Sequence, residues 1–600
     1  MDYNHEEVMT KAFDIKIMKR LLKYAKPYSL YVFISIFAIL LVTGANLLRP
    51  YLVKIAIDNY INNSHITKQA ASSGVIHIGL LYLIIIFASF FISYGEIYLI
   101  QYTGQKIIFN LRQQIFEHLQ NLSLSFFDKN PVGRLVTRVT NDTDTLNEMY
   151  TSVIVNLFND IFILLGIAIA MLFLNVKLAL ISFSTLPLVI IGMYIYRKLA
   201  TQAYRLVRVR LARINAFLSE HISGMKIVQI FVSEQKKSND FKKINKEYYD
   251  ANMKQLKVFA IFRPSMDLIY SLTLALLIWY GGKDIISNKI EFGVLYAFTN
   301  YIQMMFQPIF DLSEKYDILQ SAMASAERIF ILLDTKEHIK DPENPISLDS
   351  IEGKIEFKNV WFSYNNNEWV LKDVSFTVNP GQTIAIVGAT GAGKTSIINL
   401  LSRFYDIQKG DILIDGKNIK DIKQAELRRN IGVVLQDVFL FTGDIKSNIR
   451  LNNKNITEND IYKISKYVNA HNFIKKLPNG YDSKVTERGS TLSSGQRQLL
   501  AFARALAFNP KILILDEATA NIDTETEILI QDALNKLTKN RTTIVIAHRL
   551  STIQHSDKII VLHKGQIKET GTHNELLNKK GLYYNLYMLQ YKEQLVEKEA

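Results

Sequence analysis

Up to about residue 320 the chain is dominated by apolar runs long enough to cross a bilayer, and no other feature restricts its fold as severely. Inside hydrocarbon each backbone N–H and C=O must be satisfied within its own segment or in a closed barrel, so runs of this kind form helices. Six spans are expected, at about 29–57, 74–101, 148–173, 178–197, 256–281 and 292–315. Several continue past the apolar edge as amphipathic helix. Arg49-Pro50, near the outer end of the first run, fits a kink whose long side chain snorkels toward water.

Charge orients these spans. Lys11, Lys16, Lys19, Arg20, Lys23 and Lys26 precede the first, and the long connections 102–147 and 198–255 are rich in Lys and Arg. Of these two residue types the loop 58–73 holds only Lys68, the turn 174–177 only Lys177, and the loop 282–291 Lys283 and Lys289. Basic residues stay on the cytoplasmic side, so both termini and the long connections are expected there. The net charge of +14 is thereby a matter of membrane topology, and no nucleic-acid partner is expected. A hydrophobic share of 48% fits a chain partly dissolved in lipid, and the absence of cysteine excludes disulfides and thiolate metal sites. No removable signal peptide is expected.

Phe13–Tyr28 mixes Ile, Met and Leu with Lys and Arg at helical spacing, as a helix lying along the membrane surface does. Within the long connections, Ser123–Leu135 and Gln229–Phe241 read as short elements between long helices. They are either solvated elbows or contacts for a cytoplasmic domain. From Asp334 to Gly353 the composition turns polar, with Pro342 and Pro345, which divides the chain into a helical domain (1–335), a linker (336–352) and a second domain (353–600).

In the second domain short β-rich runs alternate with helical patterns: Ile355–Phe357, Thr383–Val387, Ile431–Leu435, Lys511–Leu515, Thr542–Ala547, Lys558–His563 and Gln566–Thr570. This predicts an α/β domain with a largely parallel core sheet and ligand chemistry at the strand ends. The charged C-terminal stretch Leu582–Ala600 reads as a helix, either a docking arm or a solvated tail.

Between the strand at Thr383–Val387 and a following helix lies Gly388-Ala389-Thr390-Gly391-Ala392-Gly393-Lys394-Thr395, which fits the phosphate loop G-x-x-x-x-G-K-[ST]. Its glycines let backbone N–H groups turn inward onto phosphate oxygens at the positive end of the helix. Lys394 suits the β- and γ-phosphates and the Thr395 hydroxyl suits Mg²⁺. Asp516 ends an apolar strand where it can hold Mg²⁺, and Glu517 follows it, placed to accept a proton from the attacking water. His548 ends another strand and can meet the γ-phosphate and that water, while Gln436 can sense Mg²⁺ or water. Ser493, opening the helix of Leu492-Ser493-Ser494-Gly495-Gln496, forms a second phosphate grip on a separate segment. Two domains placed head to tail bring each grip over the other's ATP. Tyr364 can stack on adenine.

This ordered set, behind six spans, resembles the ATP-binding cassette (ABC) transporter superfamily, exporter-type half-transporters in particular. The resemblance covers nearly the whole chain. It implies a six-helix all-α transmembrane domain followed by an α/β P-loop NTPase domain, in a multi-pass protein of a bacterial cell membrane. It makes 388–395 the Walker A loop, with Ser396 beside it in the ATP site, Tyr364 the adenine-stacking aromatic and Gln436 the Q-loop glutamine. By it, Ser493, Ser494, Gly495 and Gln496 form the signature over a partner's ATP, Asp516 is the Walker B acid and Glu517 the general base. Ala520–Asp523 becomes the D-loop, His548 the switch histidine and Thr486–Gly489 the X-loop, and the two elbows match coupling helices. The implied Mg²⁺ set is Thr395, Gln436 and Asp516.

Two motifs depart from the family pattern. Ser494 stands where the signature has glycine, and Ala520-Asn521-Ile522-Asp523 replaces the usual S-A-L-D. A displaced transition-state donor costs about 2.7–4 kcal/mol, enough to silence a site. With Glu517 and His548 intact, the combination resembles one subunit of the heterodimeric exporters; the alternative is a homodimer that tolerates Ser494. The expected work is ATP-driven, alternating-access export of amphipathic or hydrophobic small molecules, drugs or lipids. Glu96 and Asp160 lie inside apolar spans at a cost of about 2.5–3.5 kcal/mol each at mid-membrane. Either they face a cavity, with Tyr296, Tyr301, Met304, Met305 and Phe306, or the group serves helix packing. A lipid or peptide exporter of the same build, and an ATP-gated channel or sensor, are the rival readings.

Overall fold

The computed structural model describes residues 14–63, 66–336, 339–348, 351–365, 368–516, 524–546 and 553–589. Its fold divides into two compact units, and the division is not a single cut in the sequence. The first takes residues up to Gln120 and Gly133–Thr335; the second takes Asn121–Val132 and everything from Lys336 onward.

The helical elements are α1 (Ile15–Ala25), α2 (Ser29–Ile55), α3 (Lys68–Asn121), α4 (Leu124–Lys129), α5 (Val132–Thr137), α6 (Thr143–Glu148), α7 (Ile154–Leu174), α8 (Val176–Phe183), α9 (Leu186–Ser223), α10 (Met225–Ile230), α11 (Glu234–Ile286) and α12 (Phe292–Asp334). Among the described residues five helical stretches are long and apolar enough to cross a membrane: Ile15–Ile61, Lys68–Asn121, Val132–Leu174, Val176–Ser223 and Glu234–Ile286. The sixth expected span falls in α12, 43 residues long. The fourth span is interrupted before Pro187: Ser184 and Thr185 separate α8 from α9. The break is satisfied internally, with Thr185 Oγ1 donating to the Ser182 carbonyl at 2.9 Å and accepting from Thr273 Oγ1 at 2.8 Å. Pro50, Pro264 and Pro308 lie inside α2, α11 and α12.

Within the first unit α12 is fastened by charge at several levels. Glu291, which caps it, accepts from Lys54 at 3.0 Å. Lys315 pairs with Asp160 of α7, Arg328 and Ser325 with Asp142, and Asp334 accepts two hydrogen bonds from Arg20 of α1. The Arg20 guanidinium also lies 4.2 Å from the Phe330 ring centroid, so the amphipathic helix α1 is fixed to the end of α12.

The second unit is built on β1 (Ile355–Phe362), β2 (Leu371–Val378), β3 (Thr383–Val387), β4 (Lys409–Ile414), β5 (Lys417–Asn418), β6 (Ile431–Val434), β7 (Gly443–Asp444), β8 (Lys484–Val485), β9 (Ile512–Asp516), β10 (Thr542–Ile546), β11 (Lys558–His563) and β12 (Gln566–Gly571). Among the described residues a six-stranded sheet runs β12-β11-β3-β10-β9-β6, parallel except for β12. A four-stranded antiparallel sheet runs β2-β1-β4-β5. The parallel strands are buried on both faces, which is why they read as unbroken apolar runs. Ile384, Ile386, Ile512 and Ile514 enter one core, Ala385, Val387, Leu513 and Leu515 the other. The linker expected at 336–352 is not free where it is described: Ile339, Lys340, Asp341 and Leu348 are hydrogen-bonded to Gln424, Arg403 and Glu426.

Candidate functional site

The phosphate loop follows β3 and leads into α13 (Lys394–Leu401), as its sequence requires. Gly391 and Gly393 take left-handed backbone, at φ of +82° and +100°. A side chain at Gly393 would also meet Leu371 Cδ2 at 2.8 Å, so both conformation and space demand glycine there. Lys394 is 7% exposed. Its ammonium folds back over the loop, donating to the Gly388 and Ala389 carbonyls at 2.7 and 3.1 Å. Burial pulls its pKa below the ordinary lysine value, and the charge of Asp516 opposes that pull. Thr395 is exposed, whereas Ser396 is buried and its Oγ lies 3.0 Å from Tyr364 Oη.

The sheet gathers the other candidates at strand ends. Asp516 is the last residue of β9 and lies opposite Ile546 of β10; β10 in turn pairs with β3. On the other side of β9, Val434 of β6 pairs with Leu515, so Gln436 leaves the sheet next to Asp516. Gln436 is exposed and Asp516 is 9% exposed. Glu517, Ala520–Asp523 and His548 lie outside the described residues, although β9 and β10, which lead to Glu517 and His548, run side by side. No group of three His, Cys, Asp or Glu able to hold a metal occurs among the described residues. An exposed hydroxyl, one carboxylate and an amide suit Mg²⁺ held mainly through nucleotide phosphates.

Ser493 caps the helix Ser494–Ala507 with a complete capping box: Gln496 N donates to Ser493 Oγ at 3.2 Å and Ser493 N to Gln496 Oε1 at 3.1 Å. Ser494 is the first helical residue, exposed, and not in left-handed backbone. A side chain at this position therefore strains nothing in the chain itself. Arg504 ties the same helix to the helix Ile445–Arg450 and to the loop after β6, donating to the Asn448 and Phe439 carbonyls at 2.9 and 3.0 Å. In the stretch Thr486–Gly489, Arg488 and Gly489 both adopt positive φ, +55° and +64°.

Tyr364 lies between the sheet and α13, 41% exposed. Its ring meets Phe362 and Tyr405 edge-on, with centroids 4.7 and 5.0 Å away. Tyr405 carries no motif and sequence reasoning passed over it, as it did Lys315. In the helical unit, Tyr301, Met305 and Phe306 are core residues with Met304 packed against them, and Tyr301 Oη donates to the Leu47 carbonyl at 2.7 Å. Tyr296 is exposed and Glu96 of α3 half-buried, while Asp160 is buried and paired with Lys315.

Residues 32–309 match the family model described as the ABC transporter transmembrane region, and residues 371–520 the model described as ABC transporter. A Bacillus subtilis protein named "Uncharacterized ABC transporter ATP-binding protein YknV" is 40% identical over 98% of this chain and 97% of its own length. Another from Bacillus subtilis, "Probable multidrug resistance ABC transporter ATP-binding/permease protein YheH", is 43% identical over 84% of this chain and 75% of its own. The "ATP-dependent lipid A-core flippase" of Syntrophus aciditrophicus is 36% identical over 97% and 96%.

Proposed function

The chain belongs to the ABC transporter family as an exporter-type half-transporter, and from that membership we propose its cargo, its partner and the roles of its residues. ATP hydrolysis by the cassette drives export across the bacterial cell membrane. The observation that carries the site reading is the phosphate loop on β3: Lys394 donates to Gly388 and Ala389, with the acid Asp516 two strands away. The inward-turned loop and α13 bind the phosphates, Lys394 exchanges its carbonyl partners for phosphate oxygens, and Tyr364 holds the base. Thr395, Gln436 and Asp516 hold Mg²⁺, which when bound neutralises charge on the β- and γ-phosphates. Glu517 takes the proton of the attacking water and His548 orients that water.

Two cassettes close head to tail, so Ser493 and Gly495 reach a partner's nucleotide. Intact Glu517 beside an altered signature favours a different half-transporter as that partner. Both termini face the cytoplasm. The cargo is an amphipathic or hydrophobic small molecule, in line with the name of the multidrug-resistance relative. The flippase relative supports a second reading, a lipid cargo for the same machine.

Inside-out vesicles from cells making the chain with its native partner decide among these. ATP-dependent accumulation of ethidium against a gradient is expected, with Glu96→Gln weakening it and sparing basal ATPase. ATP-dependent dye movement that only dissipates a gradient would mean a channel, and movement of a fluorescent phospholipid alone would mean the lipid reading.

A further inference from the structure

The elbow that interrupts the first long connection belongs with the cassette, and it is attached there next to Tyr364. α4 lies in the segment Asn121–Val132 that groups with the second unit, yet by covalent connection it lies between α3 and α5 of the helical unit. Phe126 is buried, and Asn130 closes α4 by donating its side-chain amide to the Phe126 carbonyl at 2.9 Å. Asp128 accepts a hydrogen bond from the Tyr405 hydroxyl. Burial and the Asp128 carboxylate both raise the Tyr405 pKa, so the phenol keeps its proton and remains a donor.

The other side of Tyr405 is committed as well. Its ring meets Tyr364 at 90° with centroids 5.0 Å apart, and Phe362 at 5.8 Å. Tyr364 is in turn held by its hydroxyl, which lies 3.0 Å from Ser396 Oγ and accepts from Asn399 Nδ2 at 3.3 Å, both on α13. The line Tyr364–Tyr405–Asp128 is thus a set of direct contacts from the nucleotide site to the elbow, and it does not pass through the phosphate loop.

We propose that Tyr405 is a positioning residue that reports occupancy of the base pocket, rather than of the phosphate loop, to the elbow through Asp128. This rests on the reading of Tyr364 as the base platform. A base stacked on Tyr364 restricts that ring, the edge-on contact restricts Tyr405, and the restricted hydroxyl holds Asp128 more firmly. A ligand with phosphates and no base fills the loop and leaves the elbow as it was.

The test is amide hydrogen exchange on the full chain with its partner in lipid nanodiscs, comparing Mg²⁺–AMP-PNP with Mg²⁺–tripolyphosphate. AMP-PNP is expected to slow exchange in 124–130 about threefold, the scale of one exposed hydrogen bond. Tripolyphosphate is expected to protect 394–401 and leave 124–130 unchanged. Tyr405→Phe and Asp128→Ala should each abolish the elbow response while AMP-PNP affinity stays within about twofold, the double variant should do no more, and Asp128→Asn, which still accepts, should keep the response. An undiminished response in Tyr405→Phe, or equal responses to the two ligands, overturns the proposal. Tyr364→Ala separates the two layers: unchanged AMP-PNP affinity there would remove Tyr364 as the platform, whatever the elbow does.

Discussion

Lys315 of α12 donates to the Asp160 carboxylate of α7 at 2.5 Å, and their side chains are only 12% and 7% exposed. The two charges are matched to one another inside the helical unit, so Asp160 presents no bare anion to a cationic cargo in this conformation. Glu96, the other acid singled out in the spans, is half-buried on α3.

Breaking this pair from one side should be costly. Asp160→Asn leaves Lys315 without its counter-charge in a poorly solvated place, a loss of about 3–5 kcal/mol, whereas Asp160→Leu with Lys315→Met should recover most of it. Thermal unfolding of the purified protein in one detergent measures both.

Glu517→Gln should lower ATP turnover by about 10²–10⁴-fold, the usual worth of a positioned general base, with nucleotide affinity retained. Turnover and equilibrium binding on the same preparation check it, and unaltered turnover would remove Glu517 from the chemistry.

Ser494 sets a prediction about partnership. The purified chain alone should hydrolyse ATP slowly, and Ser494→Gly should raise that rate by about 10²-fold as the exposed side chain is cleared from the helix end that grips a partner's nucleotide. Full, drug-stimulated turnover by the unaltered chain alone would establish a competent homodimer instead.

His573 gives the cassette an acid-sensitive contact. Its Nδ1 lies 2.7 Å from the Oη of Tyr583, which is 1% exposed, and burial lowers the imidazole pKa below its ordinary value. The unfolded chain therefore takes up that proton first, so stability is full above the unfolded value and falls as pH drops through the folded one. Melting temperatures between pH 7 and about 5 should fall less steeply in His573→Gln than in the unaltered protein.

Much of this was legible because local and global signals agree. β3 and β11 have the bounds their apolar runs announced, Thr383–Val387 and Lys558–His563, since strands covered on both faces need no alternation. The antiparallel sheet was largely missed. Asn359 and Asp373 take positive φ, +48° and +53°, inside β1 and β2 and hydrogen-bond each other at 2.8 Å. The irregular register they accompany scrambles the period-2 pattern. The second elbow lies at Met225–Ile230, sharing only Gln229 and Ile230 with the stretch Gln229–Phe241 expected to hold it; Gly224, which ends α9, was the available signal. Pairs such as Lys315 with Asp160, 155 residues apart, leave no trace in one sequence.

The division of the chain has a practical corollary. A cassette excised at the compositional boundary near residue 336 would lack Asn121–Val132, and with it the acceptor of the Tyr405 hydroxyl and the buried ring of Phe126. Nucleotide binding measured on such a fragment carries no readout of the elbow, because the elbow is absent.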